Sequence, residues 1–173
     1  MRSASPQPLA RLLATGVLVC VSAARANDCV DVQKAAAIAQ VKAPHAVVHV
    51  MTLPGKAPQR TDMIFAGDKA YMKVDGKWSA IPFSAKDQID MINTAPAKAE
   101  GAVTCQKTAG ETVNGEPTFL MTVHEAGPKV NDARFWISTR TGLPMREEVR
   151  LGSGLVIADE FRYDNIQAPA GVK

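Results

Sequence analysis

The chain has 173 residues, the size of one domain, and its 46% hydrophobic and 21% charged residues fall in the globular range, which excludes a disordered or collagen-like polymer. A formal charge of +3 at pH 7 raises the question of an anionic partner, and 3 cysteines cannot all pair within one chain. Both questions depend on where those residues lie.

Residues 1–26 read as a secretory signal. Arg2 and Arg11 form a basic leader, Leu12 to Val21 is an apolar run, and Ala24-Arg25-Ala26 offers small residues at the positions a signal peptidase reads. The run is about half of the ~20 apolar residues a membrane span requires, so a cleaved leader is preferred to a retained anchor and no integral span is expected in the mature chain. Cleavage is expected after Ala26. Cys20 follows Val19 and Cys29 follows Asp28, so neither has the small preceding residue of a lipid-modified cysteine. The leader holds Arg2, Arg11 and Arg25 and no acidic residue; residues 27–173 therefore balance their 17 acidic residues with as many basic ones. Binding to nucleic acid by counterion release needs clustered Lys and Arg, and no such run occurs, so nucleic acid is excluded as a partner. Cys20 leaves with the leader. Cys29 and Cys105 then form an even pair in an oxidising compartment, and a disulfide between them is expected, with two unpaired buried thiols as the alternative. The compartment is the periplasm, with secretion beyond it as the second choice.

In the mature chain Asn27 or Asp28 can cap a first helix reaching about Lys42 and stopped by Pro44, with Val30, Ala37, Ile38 and Val41 as its apolar stripe. His45 to Leu53, Arg60 to Ala66, Ala70 to Val74 and Lys77 to Ile81 then read as strands of an antiparallel meander. Gly67-Asp68 and Asp75-Gly76 supply the positive φ that tight hairpins require. Ser84 opens a second helix with Asp87 three positions on, and Pro96 ends it. Val103 to Val113 and Pro117 to His124 form a hairpin around Asn114-Gly115. Arg134 to Ser138, Pro144 to Leu151 and Leu155 to Tyr163 complete the set. The pattern is a single α+β domain over 27–173, in which an antiparallel sheet of about nine to eleven strands tends to curl or close, giving a concave face that helices can plug.

Catalytic signatures are sparse. The chain has no phosphate loop, no Cys-x-x-Cys and no paired-His zinc helix, and Gly152-Ser153-Gly154 is a turn rather than a nucleotide loop. His45 and His49 are four residues apart, which on a strand is about 13 Å, too far to share an ion. No metal and no cofactor is expected. If Leu151 faces Leu155 across the Gly152 to Gly154 loop, Glu147 stands opposite Asp159, on the face that also carries Met145, Val149, Ile157 and Phe161. Arg146 then meets Glu160 on the other, outer face. Facing carboxylates repel unless a cation, a proton or solvent intervenes. They could serve as a glycosidase-like acid/base pair, or mark a shifted register or a wet sheet end. Met51, Met63, Phe65, Met72, Phe119, Met121, Phe135 and Phe161 alternate along several strands and suit either an apolar ligand cavity or an ordinary core.

Three segments carry a family resemblance. The strand-turn-strand Trp136-Ile137-Ser138-Thr139-Arg140-Thr141-Gly142-Leu143-Pro144-Met145-Arg146 resembles one found in the LolA-like superfamily of exported proteins, which includes lipoprotein-sorting and LppX-like members. Tyr163-Asp164-Asn165-Ile166-Gln167-Ala168-Pro169 is similar to its closing strand. Tyr71-Met72-Lys73-Val74-Asp75-Gly76-Lys77-Trp78 fits the early hairpin that turns into a lid-like helix. Together with the element order, the resemblance spans the whole mature chain. It implies a curved half-barrel whose concave apolar face, covered by helices, holds acyl chains or other lipophilic ligands. Three features depart from a lipoprotein carrier: a Cys29 to Cys105 bridge would restrain opening, Arg60 is only the nearest match to a carrier's lid-latching arginine, and 5% aromatic content is low for a large lipid cavity. The expectation is a non-enzymatic periplasmic protein binding a lipid or other apolar small molecule, an envelope lipoprotein among the candidate partners. An exported interaction protein with a packed core is the alternative, and a hydrolase using Glu147 and Asp159 stands third.

Overall fold

A computed structural model describes residues 26–94, 103–125 and 131–172. The leader as far as Arg25, and Pro96, lie outside the described residues. The first helix, α1 (Ala26–Lys42), ends before Pro44 as the sequence indicates, but Asn27 and Asp28, expected to cap it, lie within it. Four strands follow, β1 (His45–Thr52), β2 (Gln59–Ala66), β3 (Lys69–Val74) and β4 (Lys77–Ile81). After the second helix, α2 (Ala85–Thr94), come β5 (Val103–Val113), β6 (Glu116–Glu125), β7 (Asn131–Ser138), β8 (Pro144–Arg150) and β9 (Val156–Arg162).

All neighbouring strands pair antiparallel in one nine-stranded sheet of order β4-β3-β2-β1-β9-β8-β7-β6-β5. Two meanders, β1 to β4 and β5 to β9, are thus joined by the pairing of the first strand with the last. The sheet is curved and open, with β4 and β5 at its edges, and this is the expected α+β half-barrel. Local chemistry sets the hairpins. Asp75 and Gly76, and likewise Asn114 and Gly115, all have positive φ, the backbone that lets a two-residue turn follow the strand twist. Ser84 caps α2 by accepting a hydrogen bond at Oγ from the Asp87 backbone N–H at 3.2 Å.

Side chains alternate across each strand, so one residue parity faces the helices except where the register shifts near Ala109 and Trp136. Beneath the first turns of α1, Met121, Phe135 and Ile137 pack against Cys29 and Ala36, with Val32, Cys105, Phe119, Val123 and Ala133 around them. Cys29 and Cys105 are disulfide-bonded, their Cα atoms 6.2 Å apart, which fastens α1 to the edge strand β5. The helix stripe differs from the sequence reading: Val30 is 42% exposed, whereas Cys29, Val32 and Ala36 carry the packing. Their spacing of three and four residues forms the packed part of the inward face, the half-cystine included, and Ala37 and Val41 of the expected stripe also face inward, farther along the helix.

On the other face Val113, Trp136 and Met145 form a second cluster, flanked by Leu120 and Tyr163. A register shift between Trp136 and Ile137 brings Met145 here, away from Val149 and Phe161, with which simple alternation had grouped it. Tyr163 donates its hydroxyl proton to the Pro144 carbonyl at 2.7 Å, and burial pushes its ionisation well above the ordinary tyrosine value. Among the described residues no helix is long and apolar enough to cross a membrane.

Candidate functional site

The filled core does not extend under the whole of α1. Where the helix passes over β8, β9, β1 and β2, a cavity of about 280 Å³ opens. Its roof is Ala37, Gln40 and Val41 of α1, Gln88 and Ile92 of α2, and Phe83 just before α2. Val47, Met63, Phe65 and Phe161 form its apolar sheet walls, and His45, His49, Glu147 and Asp159 its polar floor. A shallower groove of about 630 Å³ lies on the far side of α2; Phe83 and Gln88 line both spaces. No residue of α2 is buried, and Met91 is 65% exposed, so the helix is a thin partition between them.

The floor follows from register. Asp159 of β9 stands between His49 of β1 and Glu147 of β8, and the same cross-strand row continues through Phe135 and Met121 to Lys107. His49 Nδ1 lies 2.7 Å from Asp159 Oδ1, a charge-assisted bond in which the ring N–H donates. Burial pushes the Glu147 carboxyl up to about 7, with the neighbouring Asp159 charge adding to the effect. Burial also raises Asp159, against the opposing pull of its bond to His49.

His45 is 3% exposed. Its Nδ1 bonds the Ala43 carbonyl at 2.8 Å, and a carbonyl only accepts, so the ring proton sits on Nδ1. Burial holds the ring pKa below the ordinary value, so the ring is neutral and Nε2 is an acceptor. Phe65 stacks on this ring with centroids 4.5 Å apart, and Phe161 meets it edge-on at 6.2 Å.

The sequence-derived cavity residues divide. Met63, Phe65 and Phe161 line the cavity, whereas Phe119, Met121 and Phe135 pack in the core beneath the disulfide end of α1. Met51 pairs with Gln59 and Ile157, and Met72 with Met63 and Ser79; both are partly buried strand residues outside the cavity lining. Glu147 does face Asp159, as the β8–β9 loop indicated, and Arg146 does stand opposite Glu160. The Arg146 guanidinium, however, donates to Glu111 at 2.6 Å and lies 5.3 Å over the Trp136 ring. Arg60, at the exposed start of β2, pairs with Asp62 of the same strand. His45, Val47, His49 and Phe83 are cavity residues that the sequence reading did not select, although alternation from His45 to His49 places three of them on one face. Among the described residues no group of three or more His, Cys, Asp and Glu is arranged to hold a metal ion. What the floor offers is proton storage and hydrogen-bond acceptance.

No family model matches the chain, and neither does any curated protein. Among solved structures it is similar to the lipoprotein LppX of Mycobacterium tuberculosis, at 13% identity and a TM-score of 0.48, covering 83% of this chain and 99% of that one. It is similar to the MucA/MucB complex of Pseudomonas aeruginosa at 16% identity and a TM-score of 0.47, covering 83% of this chain and 62% of the other. A LolA superfamily protein of Nitrosomonas europaea follows at 11% identity and a TM-score of 0.27, covering 81% of this chain and 92% of that one.

Proposed function

We propose that the chain, exported to the periplasm and freed of residues 1–26, is a non-enzymatic binding protein that holds a lipid or other apolar molecule between its sheet and helices. The cavity of about 280 Å³ carries this reading, because Val41, Val47, Met63, Phe65, Phe83, Ile92 and Phe161 turn apolar surface toward open space. Burial of a ligand against such walls contributes about 25 cal/mol per Å² of apolar area removed from water. The volume lies just below the usual range of small-molecule sites, roughly 300–1,000 Å³. It suits one alkyl chain or a compact amphiphile, including a single acyl chain of an envelope lipoprotein. Displacement of α2, which has no buried residue, would open the route in. The bridged α1 would stay in place as the fixed part of the roof.

Protein purified gently from the periplasm of its own bacterium is expected to release an apolar ligand on solvent extraction, read by mass spectrometry. Ala37→Phe, which pushes a ring into the roof side of the cavity, is expected to lose it. An empty wild-type protein, or an Ala37→Phe variant carrying the same amount of ligand, would overturn the reading. A protein partner retained by ligand-free protein would favour the interaction-protein alternative.

A further inference from the structure

Resting on that binding reading, we propose that the occupant is an uncharged single-chain lipid with a hydroxyl head, and that this hydroxyl donates a hydrogen bond to His45 Nε2.

His45 is a polar side chain set into an aromatic corner. It stands opposite Phe65 in the β1–β2 register, which brings the two rings face to face at 4.5 Å. Phe161 and Tyr163 lie beside it at 6.2 and 6.0 Å between centroids, and Phe83 meets Phe65 edge-on at 5.0 Å. The His45 Nδ1 proton is committed to the Ala43 carbonyl, and the Tyr163 hydroxyl proton to the Pro144 carbonyl. Nε2 is left as an acceptor with no donor among the described residues. Only 3% of His45 is exposed, yet no fully buried side-chain nitrogen or oxygen among those residues lacks a partner. Nε2 therefore keeps contact with open space, and His45 lines the cavity.

The chemistry of this atom selects the head group. His45 acts alone, because the row of His49, Asp159 and Glu147 begins four residues on, about 13 Å along the strand. One neutral acceptor among ring carbons is matched by one donor. A hydroxyl supplies it without bringing charge into apolar surroundings. An ammonium would leave two N–H groups unpaired against the rings, which is costly. An ionised carboxylate has no proton to offer and would share the cavity with Asp159 and Glu147. The volume of about 280 Å³ limits the apolar body to one alkyl chain against Val47, Met63 and Phe161.

The probes are decanol, its isomer methyl nonyl ether, and decanoate, titrated calorimetrically into delipidated mature protein at about pH 8, where a free carboxylic acid is ionised. The ether keeps every atom type of decanol but has no O–H, and a purely apolar wall would hold it at least as tightly. Decanol is expected to bind about fivefold more tightly than the ether, with decanoate weakest. With nitrogen-labelled histidine, the Nε2 resonance of His45, identified by its loss in His45→Phe, is expected upfield in the decanol complex relative to the ether complex. His45→Phe keeps a ring against Phe65, and in it the two affinities are expected to converge to within about twofold. Should that variant not fold, the two wild-type measurements decide. An ether or decanoate that binds the wild type as tightly as decanol, or coincident Nε2 resonances in the two complexes, would overturn the hydroxyl assignment and leave the apolar-binding reading intact. A preference for decanol that persists in folded His45→Phe would also overturn the assignment. Failure of all three probes to bind would overturn both.

Discussion

One helix and one cross-strand row run over two unlike halves of the sheet. Under the start of α1, Cys29, Val32 and Ala36 meet Met121, Phe135 and Ile137, and the space is filled. Under its end, Ala37, Gln40 and Val41 look down on His45, His49, Asp159 and Glu147, and the space is open. The row changes character where it crosses from β7 to β8, from Met121 and Phe135 to Glu147, Asp159 and His49. Large apolar side chains close the gap between helix and sheet in the first half. In the second, polar groups that must keep their hydrogen-bonding capacity cannot pack as densely, and the roof includes a helix with no buried residue. The lesson is a division between packed and open space: the disulfide-tied half is filled and holds the fold, and the other half leaves a cavity between helix and sheet.

The largest test of this division removes the bridge. Replacing both Cys29 and Cys105 by Ser frees two residues separated by 76 positions and is expected to cost about 4–5 kcal/mol in urea unfolding, with hydrogen exchange rising first in α1 and β5. Next, one substitution can be made in both halves. Met121→Ala, at a side chain 2% exposed, is expected to cost about 2–5 kcal/mol, whereas Met63→Ala, already beside the cavity, should cost roughly 1 kcal/mol. Equal losses in thermal unfolding would erase the comparison.

Glu147 tests the hollow half by pH. Its folded pKa of about 7 exceeds the ordinary 4.5, so the native state holds a proton that the unfolded chain releases. The favourable contribution of the protonated group is complete below about pH 4.5 and is lost as pH rises to about 7, on the order of 3 kcal/mol; raised Asp159 acts in the same direction. Glu147→Gln, which cannot ionise, should therefore stabilise the apoprotein by up to about 3 kcal/mol near pH 8 and leave it nearly unchanged near pH 4, as read from unfolding midpoints. Smallest is Ser84→Ala, which removes the cap of α2 and should cost about 1 kcal/mol or less, with faster amide exchange confined to α2.

The β8–β9 hairpin was legible because its determinants are local. The loop through Gly154, with Leu151 N–H bonded to the Leu155 carbonyl at 2.9 Å, sets the register that puts Glu147 opposite Asp159. Helix ends at Pro44 and Ser84, the Asp75-Gly76 and Asn114-Gly115 turns, and the candidate Cys29 to Cys105 bridge were legible for the same reason: each rests on a residue's own backbone preference or on a small count. His49 was not legible as part of the site. Its partner Asp159 is 110 residues away, and only the closure of β1 on β9 brings the two together.

Periodicity named the inward-facing methionines and phenylalanines, since strand alternation is a property of the chain. It could not divide Phe119, Met121 and Phe135 from Met63, Phe65 and Phe161, because a filled core and a lined cavity have the same alternation. That division depends on which part of α1 lies above each strand and on where α2 comes to rest. It is a matter of volumes across the gap between helix and sheet, and such volumes exist only once distant segments have packed.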